Sequence, residues 1–183
     1  MAGRIVLFGA TGYTGTLTAE ALAAARVPAV LAGRDPVRLE ALASRLGGDF
    51  SVATANVAKP STVAALVDPG DVMVSTVGPF AKYGEPALRA SIERGANYID
   101  STGEPNFVRG VFEEFGPLAE RAGVVLLPAF GYDCVPGHVV AGLALEDAGD
   151  KAVQVDVGYF NSGGRWSGGT LASLVGASRA PSF

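Results

Sequence analysis

A chain of 183 residues is long enough for one full domain and the start of another. With 49% hydrophobic and 17% charged residues it has the apolar content of a packed core, which excludes a disordered chain. A net charge of −4 and a pI near 5.0 argue against nucleic-acid recognition through a basic surface. The single cysteine, Cys134, excludes an internal disulfide, and no Cys/His cluster suits a structural zinc. No apolar run approaches the ~20 residues that span a bilayer, and the N-terminal run stops at Gly9, too early for a signal peptide. The reading is of a soluble, cytoplasmic chain.

The first half repeats one rhythm, a short β-branched run, a turn and an Ala/Leu-rich helical stretch. Residues 5–8 form a continuous apolar strand, as expected where helices cover both sheet faces. A helix over 13–26 follows, then a strand over 29–32. Asp35-Pro36 supplies an N-cap and an N1 proline for a helix carrying Leu39, Leu42 and Leu46, closed by Gly47-Gly48. A strand over 50–55 precedes a short helix after Pro60 with Val63, Leu66 and Val67. A fourth strand over 72–77 ends at Gly78-Pro79, and a helix over 86–94 is closed by Gly95. The remaining elements are a strand at 98–100, a helix over 107–122 bent or broken near Gly116-Pro117, a strand at 124–127 and a final helix of this layer over 138–148.

Crossovers this short imply a parallel sheet with helices on both faces. Six strands in about 148 residues predict an α/β Rossmann-type doubly wound fold of strand order 3-2-1-4-5-6. Beyond Asp150 the pattern changes. Residues 152–160 alternate, with Val153, Val155, Val157 and Tyr159 on one face and Gln154, Asp156 and Gly158 on the other, which reads as a strand of an antiparallel sheet. Glycine-rich turns and a weak helix over 170–176 follow. The expected division is a nucleotide-binding domain over 1–149 and, over 150–183, the start of an incomplete second α+β domain.

Gly9-Ala10-Thr11-Gly12-Tyr13-Thr14-Gly15 lies between the first strand and the first helix, a variant of the glycine fingerprint that cradles a pyrophosphate. Gly9 permits the turn, Gly12 lets backbone approach the phosphates, Gly15 allows close helix–strand packing, and the helix N-terminus supplies N–H donors. Arg34 lies 19 residues beyond Gly15, where the ribose-selecting residue belongs. An acid there accepts the 2′-OH of NAD, whereas a guanidinium pairs with the 2′-phosphate, so the expected cofactor is NADP (as NADPH) over NAD. Asp35 fits helix capping better, and Arg38 could add a second charge. By topology Asn56 would lie near the adenine and Thr76, Val77, Gly78 and Pro79 near the nicotinamide, although Asn56 equally reads as a cap for the Pro60 helix.

Several separated motifs occur in a telling order: the glycine loop, Ala32-Gly33-Arg34-Asp35, Val77-Gly78-Pro79-Phe80-Ala81-Lys82-Tyr83-Gly84, Tyr98-Ile99-Asp100-Ser101-Thr102-Gly103-Glu104 and Gly131-Tyr132-Asp133-Cys134-Val135-Pro136. Together with Ser167-Gly168-Gly169-Thr170 they make the chain resemble the saccharopine dehydrogenase-like family, in particular its branch of bacterial trans-acting enoyl reductases. The resemblance implies an N-terminal NAD(P)-binding domain and a C-terminal domain for a small-molecule or lipid-like substrate and for homodimerisation. It also implies relatives of about twice this length, so the present chain would hold the cofactor half without a complete substrate half. Short-chain dehydrogenases are disfavoured, because Tyr13, Tyr83, Tyr98, Tyr132 and Tyr159 are followed four residues on by Leu17, Ala87, Thr102, Pro136 and Gly163, never by lysine.

Hydride transfer needs orientation, exclusion of water and one proton donor. The candidate catalytic residues are Asp133 and His138 as proton relays and Tyr132 as a hydrogen-bond donor to a carbonyl, with helix capping by Asp133 and a structural role for His138 as alternatives. Cys134 reads as a small hydrophobe rather than a nucleophile. Lys82-Tyr83-Gly84 reads as a mobile loop over the substrate that lines the nicotinamide pocket, or as a plain connection. Glu104 reads as orienting the substrate or the nicotinamide ribose, or as part of a turn before Pro105. The expected function is an NADP-dependent oxidoreductase that passes hydride from NADPH to an activated C=C or C=N bond; the alternative is a non-catalytic NADP(H)-binding sensor or scaffold.

Overall fold

The computed structural model describes residues 3–160 together with 162, 163 and 168. Its elements are β1 (Ile5–Phe8), α1 (Tyr13–Ala24), β2 (Ala29–Gly33), α2 (Pro36–Leu46), β3 (Phe50–Thr54), α3 (Pro60–Ala64), β4 (Val72–Ser75), α4 (Phe80–Tyr83), α5 (Glu85–Arg94), β5 (Asn97–Asp100), α6 (Pro105–Gly110), α7 (Gly116–Ala122), β6 (Leu126–Leu127) and α8 (Val135–Ala148). The six strands form one sheet of order β3-β2-β1-β4-β5-β6, and every pairing is parallel. The order expected from the sequence is therefore the observed one.

The side-chain period of two decides which layer each strand residue serves. Val6, Phe8, Val30, Ala32, Met73 and Tyr98 point to one face, where they pack with Val63, Val67, Leu88, Val111 and Phe115. Leu7 and Leu31 point to the other, against Ala19, Leu39 and Leu42 of α1 and α2. All five residues of β2 are buried, which is why that strand carries no polar side chain. Burying side chains such as Leu7 and Leu31 completely contributes ~1.5–3 kcal/mol each.

Phe8 of β1 pairs with Ala32 of β2 and with Ser75 of β4. The carboxyl ends of these three strands thus finish level. The chain steps outward from β1 in one direction through β2 and β3, and in the other through β4, β5 and β6. The loops after β1 and β4 splay apart at that change of direction and leave a crevice.

Several local expectations are corrected. The helix foreseen over 107–122 begins at Pro105 and contains one wide π turn, Val111–Phe115, immediately before Gly116-Pro117. Pro117 has no N–H to give to the carbonyl four residues back, and a wider turn accommodates the missing bond. A four-residue helix, α4, follows the cis Gly78–Pro79 bond where no element was foreseen. Residues 152–160 form no strand: no described segment pairs with them, and an alternating pattern without a ladder partner stays an extended coil. Residues 155–160 lie instead along α8. That helix does not join the sheet layer, since Gly137 is its only buried residue. The helix foreseen over 170–176 lies outside the described residues. Among the described residues no helix is long and apolar enough to cross a membrane.

Candidate functional site

The crevice at the carboxyl ends of β1, β2 and β4 encloses ≈ 580 Å³. Its lining includes Phe8 at the end of β1, Gly9, Thr11 and Gly12 from the glycine loop, and Gly33, Arg34 and Arg38 from the β2 end and α2. Asn56, Val57 and Ala58 come from beyond β3, and Thr76, Val77, Gly78 and Tyr83 from beyond β4.

The loop is built on close backbone approach. Gly9 sits at φ +93°, and a Cβ there would lie 2.7 Å from Thr76 Oγ1. A Cβ on Gly15 would fall 2.1 Å from the Gly9 carbonyl oxygen and 2.8 Å from Ala10 Cα, so only glycine lets α1 start where it does. The N–H groups of Gly9 and Ala10 both donate to the Ala32 carbonyl (2.9 and 3.1 Å), tying the loop to β2. Thr76 Oγ1 bridges the Phe8 and Gly9 carbonyls at 3.2 Å each, tying it to β4. Gly12 is the N-cap of α1, and no side chain caps that first turn. Its N–H groups, which have no intrahelical acceptor, are therefore available to an anion in the crevice.

At the β2 end two guanidinium groups border the crevice. Arg38 donates to the Thr11 carbonyl at 3.0 Å, and among the described residues neither Arg34 nor Arg38 forms an ion pair. Asp35 does not line the crevice, because its Oδ1 accepts the Arg38 N–H at 3.1 Å and caps α2. An unpaired cation beside free helix-terminal N–H groups presents a mouth suited to phosphate.

Seven expected cofactor residues, Gly9, Thr11, Gly12, Arg34, Asn56, Thr76 and Gly78, are thus brought to one crevice. Ala10 and Gly15 are buried, Tyr13 and Thr14 are exposed on α1, and Pro79 is half-buried; none of these five lines the crevice. Asn56 does not cap α3, whose N-cap is Lys59 and carries no side-chain cap hydrogen bond. It lines the crevice, while its Oδ1 accepts the Ala58 N–H at 3.0 Å in the turn that leads into α3. Tyr132, Asp133 and His138 do not line the crevice. All three are exposed on the loop after β6 and the first turn of α8. Among the described residues Asp133 caps no helix; its carboxylate lies over Gly103 and Gly131, where Cβ atoms would come within 2.4 and 2.7 Å of it. The α8 N-terminus is held instead by Tyr159, whose hydroxyl accepts the Gly137 N–H at 2.7 Å. Burial and the Asp133 charge push the Cys134 thiol up, consistent with an inert cysteine.

Sequence reasoning missed the linkage made by the loop after β5. Asp100 Oδ1 accepts the Thr102 N–H at 2.8 Å and the Ala129 N–H at 3.0 Å. Burial raises this carboxyl above its ordinary range; those two donors oppose the rise and the Glu104 charge adds to it. Tyr98, buried beside it, is raised well above the usual phenol range by burial and by the Asp100 charge. Glu104 reaches across to the start of α4, where it accepts the Phe80 N–H at 2.8 Å and the Ala81 N–H at 2.9 Å. No local signal encodes partners 23 and 24 residues away.

Sheet order, switch-point crevice and glycine loop define a doubly wound α/β protein of the dinucleotide-binding type. The family model for the saccharopine dehydrogenase NADP binding domain matches residues 5–127, and the chain belongs to that family. A trans-acting enoyl reductase of Mycobacterium ulcerans is 34% identical over 188 residues, which cover 97% of this chain and 45% of that protein. A trans-acting enoyl reductase of Mycobacterium tuberculosis is 34% identical over 190 residues, with the same coverage. The chain thus spans less than half the length of the curated relatives it matches. Among solved structures, apo saccharopine dehydrogenase (L-Glu forming) of Saccharomyces cerevisiae superposes with a TM-score of 0.64 at 18% identity, covering 80% of this chain and 31% of that one. An actinorhodin polyketide ketoreductase with NADPH gives 0.51 at 18% identity, covering 85% and 78%. These two structures share the fold.

Proposed function

We propose that this chain is the NADP(H)-holding part of an oxidoreductase. The observation that carries the reading is the crevice itself, which joins an uncapped helix N-terminus behind a glycine loop to two guanidinium groups without ion-pair partners among the described residues. Gly9, Gly12 and the first turn of α1 would take the diphosphate, Arg34 with Arg38 the 2′-phosphate, and Asn56 the adenosine side. Thr76, Gly78 and Pro79 would flank the nicotinamide end. NADPH, when bound, supplies hydride, and the names of the mycobacterial relatives support an activated C=C acceptor, with C=N as the other candidate. On this reading residues 1–149 are the cofactor domain. Residues 150–183 begin a substrate and dimerisation domain that takes a small-molecule or lipid-like substrate.

Calorimetric titration with NADPH and NADH tests the reading. The wild type is expected to prefer NADPH, and Arg34→Ala to lose about tenfold or more of NADPH affinity while leaving NADH binding unchanged. Absence of binding by either nucleotide would remove the proposal. A second reading, a non-catalytic NADP(H) sensor or scaffold, draws on the position of Tyr132, Asp133 and His138 away from the crevice lining. Cofactor binding without turnover of any enoyl or imine acceptor, in a chain of the relatives' full length, would favour it.

A further inference from the structure

The crevice wall beyond β4 is built on an element too short to hold itself. Helix α4 has four residues, fewer than a stable nucleus needs, and its N-cap, Pro79, offers no side-chain acceptor. Yet this segment carries Gly78 and Tyr83, which both line the crevice, and the Tyr83 N–H closes the turn on the Pro79 carbonyl at 3.0 Å.

The missing cap comes from Glu104. Its side chain is buried, at 7% exposure, and each carboxylate oxygen accepts one N–H of the first turn of α4, Phe80 at 2.8 Å and Ala81 at 2.9 Å. Glu104 is itself held by nested turns. Its N–H donates to Thr102 Oγ1 at 3.1 Å, and the Thr102 N–H donates to Asp100 Oδ1 at 2.8 Å, which anchors the loop to the end of β5. The Phe80 ring packs on Phe107 of α6 at 5.7 Å, so α4 is also pinned to the helix that Glu104 precedes.

We infer that Glu104 is a positioning residue for the nicotinamide end of the crevice: its carboxylate fixes the first turn of α4 and thereby sets where Gly78 and Tyr83 meet the cofactor. Glu104 does not line the crevice and acts only through that wall. The assignment rests on the NADP(H) reading above. It replaces a direct role for Glu104 toward substrate or ribose with one that any dinucleotide occupying the full crevice would sense.

Two probes separate the ends of the site. Adenosine 2′,5′-bisphosphate carries the adenine, the ribose and the 2′-phosphate and stops short of the α4 wall, whereas NADPH reaches it. Glu104→Gln keeps one acceptor oxygen and sets an NH2 group against the second N–H donor, and Glu104→Asp keeps both oxygens on a shorter arm. Titration of the full chain is expected to show NADPH affinity about tenfold weaker in Glu104→Gln and bisphosphate affinity unchanged within about twofold. The fluorescence enhancement of bound NADPH should fall, and Glu104→Asp should recover part of both losses. Equal weakening of both probes, or no change in either, would overturn the assignment. Should Glu104→Gln not fold, the ratio of the two affinities in Glu104→Asp is read in the same way. A wild-type chain that bound neither probe would instead remove the NADP(H) reading, an outcome distinct from a failure of Glu104.

Discussion

The central strands and α8 both carry many apolar residues and meet opposite fates. On β1 and β2, Val6, Leu7, Leu31 and Ala32 are wholly buried, because helices close on both faces of the sheet. On α8, Val139, Val140 and Leu143 are 55%, 61% and 61% exposed, and beyond it Val153 and Phe160 are almost fully so. Apolar composition states that a segment can be buried. Burial itself needs a second surface, and the described residues supply one to the sheet but only a narrow one, along residues 155–160, to α8.

The contrast can be broken most severely at the glycine loop. Gly15→Ala sets a methyl group against the Gly9 carbonyl, backbone that cannot swing aside. We expect ~3 kcal/mol of lost stability in urea denaturation, together with loss of NADPH binding. Wild-type stability in that variant would mean that the loop is looser than the geometry describes.

A smaller effect is expected at the opposite end of the sheet. Asp71 is buried and ties the start of β1 to the start of β4, accepting the Arg4 N–H at 2.7 Å and the guanidinium Nε at 3.1 Å. Burial works to raise its carboxyl, but the Arg4 and Asp68 donors and the Arg4 charge outweigh it and hold the group below the usual carboxylate range. A carboxylate depressed in the native state stabilises above its unfolded pKa and loses that contribution as pH falls through the native one. Asp71→Asn should therefore cost ~1 kcal/mol at pH 7, a modest figure because Arg4 is half exposed, and the gap to wild type should close on acidification below about pH 4. A gap that persisted in acid would show that packing rather than charge holds this corner.

The smallest change is expected on α8. Leu143→Ala should alter stability by no more than about 0.5 kcal/mol, since most of the side chain already faces solvent. A cost of ~2 kcal/mol or more, accompanied by a change in sedimentation, would show that this helix is covered in solution and would erase the contrast between the two regions.

The two regions also differ in how far their sequences could be read. Strand periodicity, the Asp35-Pro36 cap, the glycines that close α2 and α5, and the 19-residue spacing to Arg34 all act over a few residues or one βαβ unit. The sheet order and the crevice built from Gly9, Gly12, Arg34 and Thr76 followed from them. The alternation at 153–159 was equally clear, yet it specified only an extended backbone; a strand exists when another chain segment accepts its hydrogen bonds. Likewise Glu104 before Pro105 looks like turn chemistry, and its carboxylate instead caps α4 from 23 to 24 residues away. Local propensity and pattern thus determined the strands and most helices of the sheet layer, their order and the position of the crevice. Packing in three dimensions decided which apolar faces are covered and which donors each buried carboxylate receives, because those depend on the groups that the fold brings within about 3 Å.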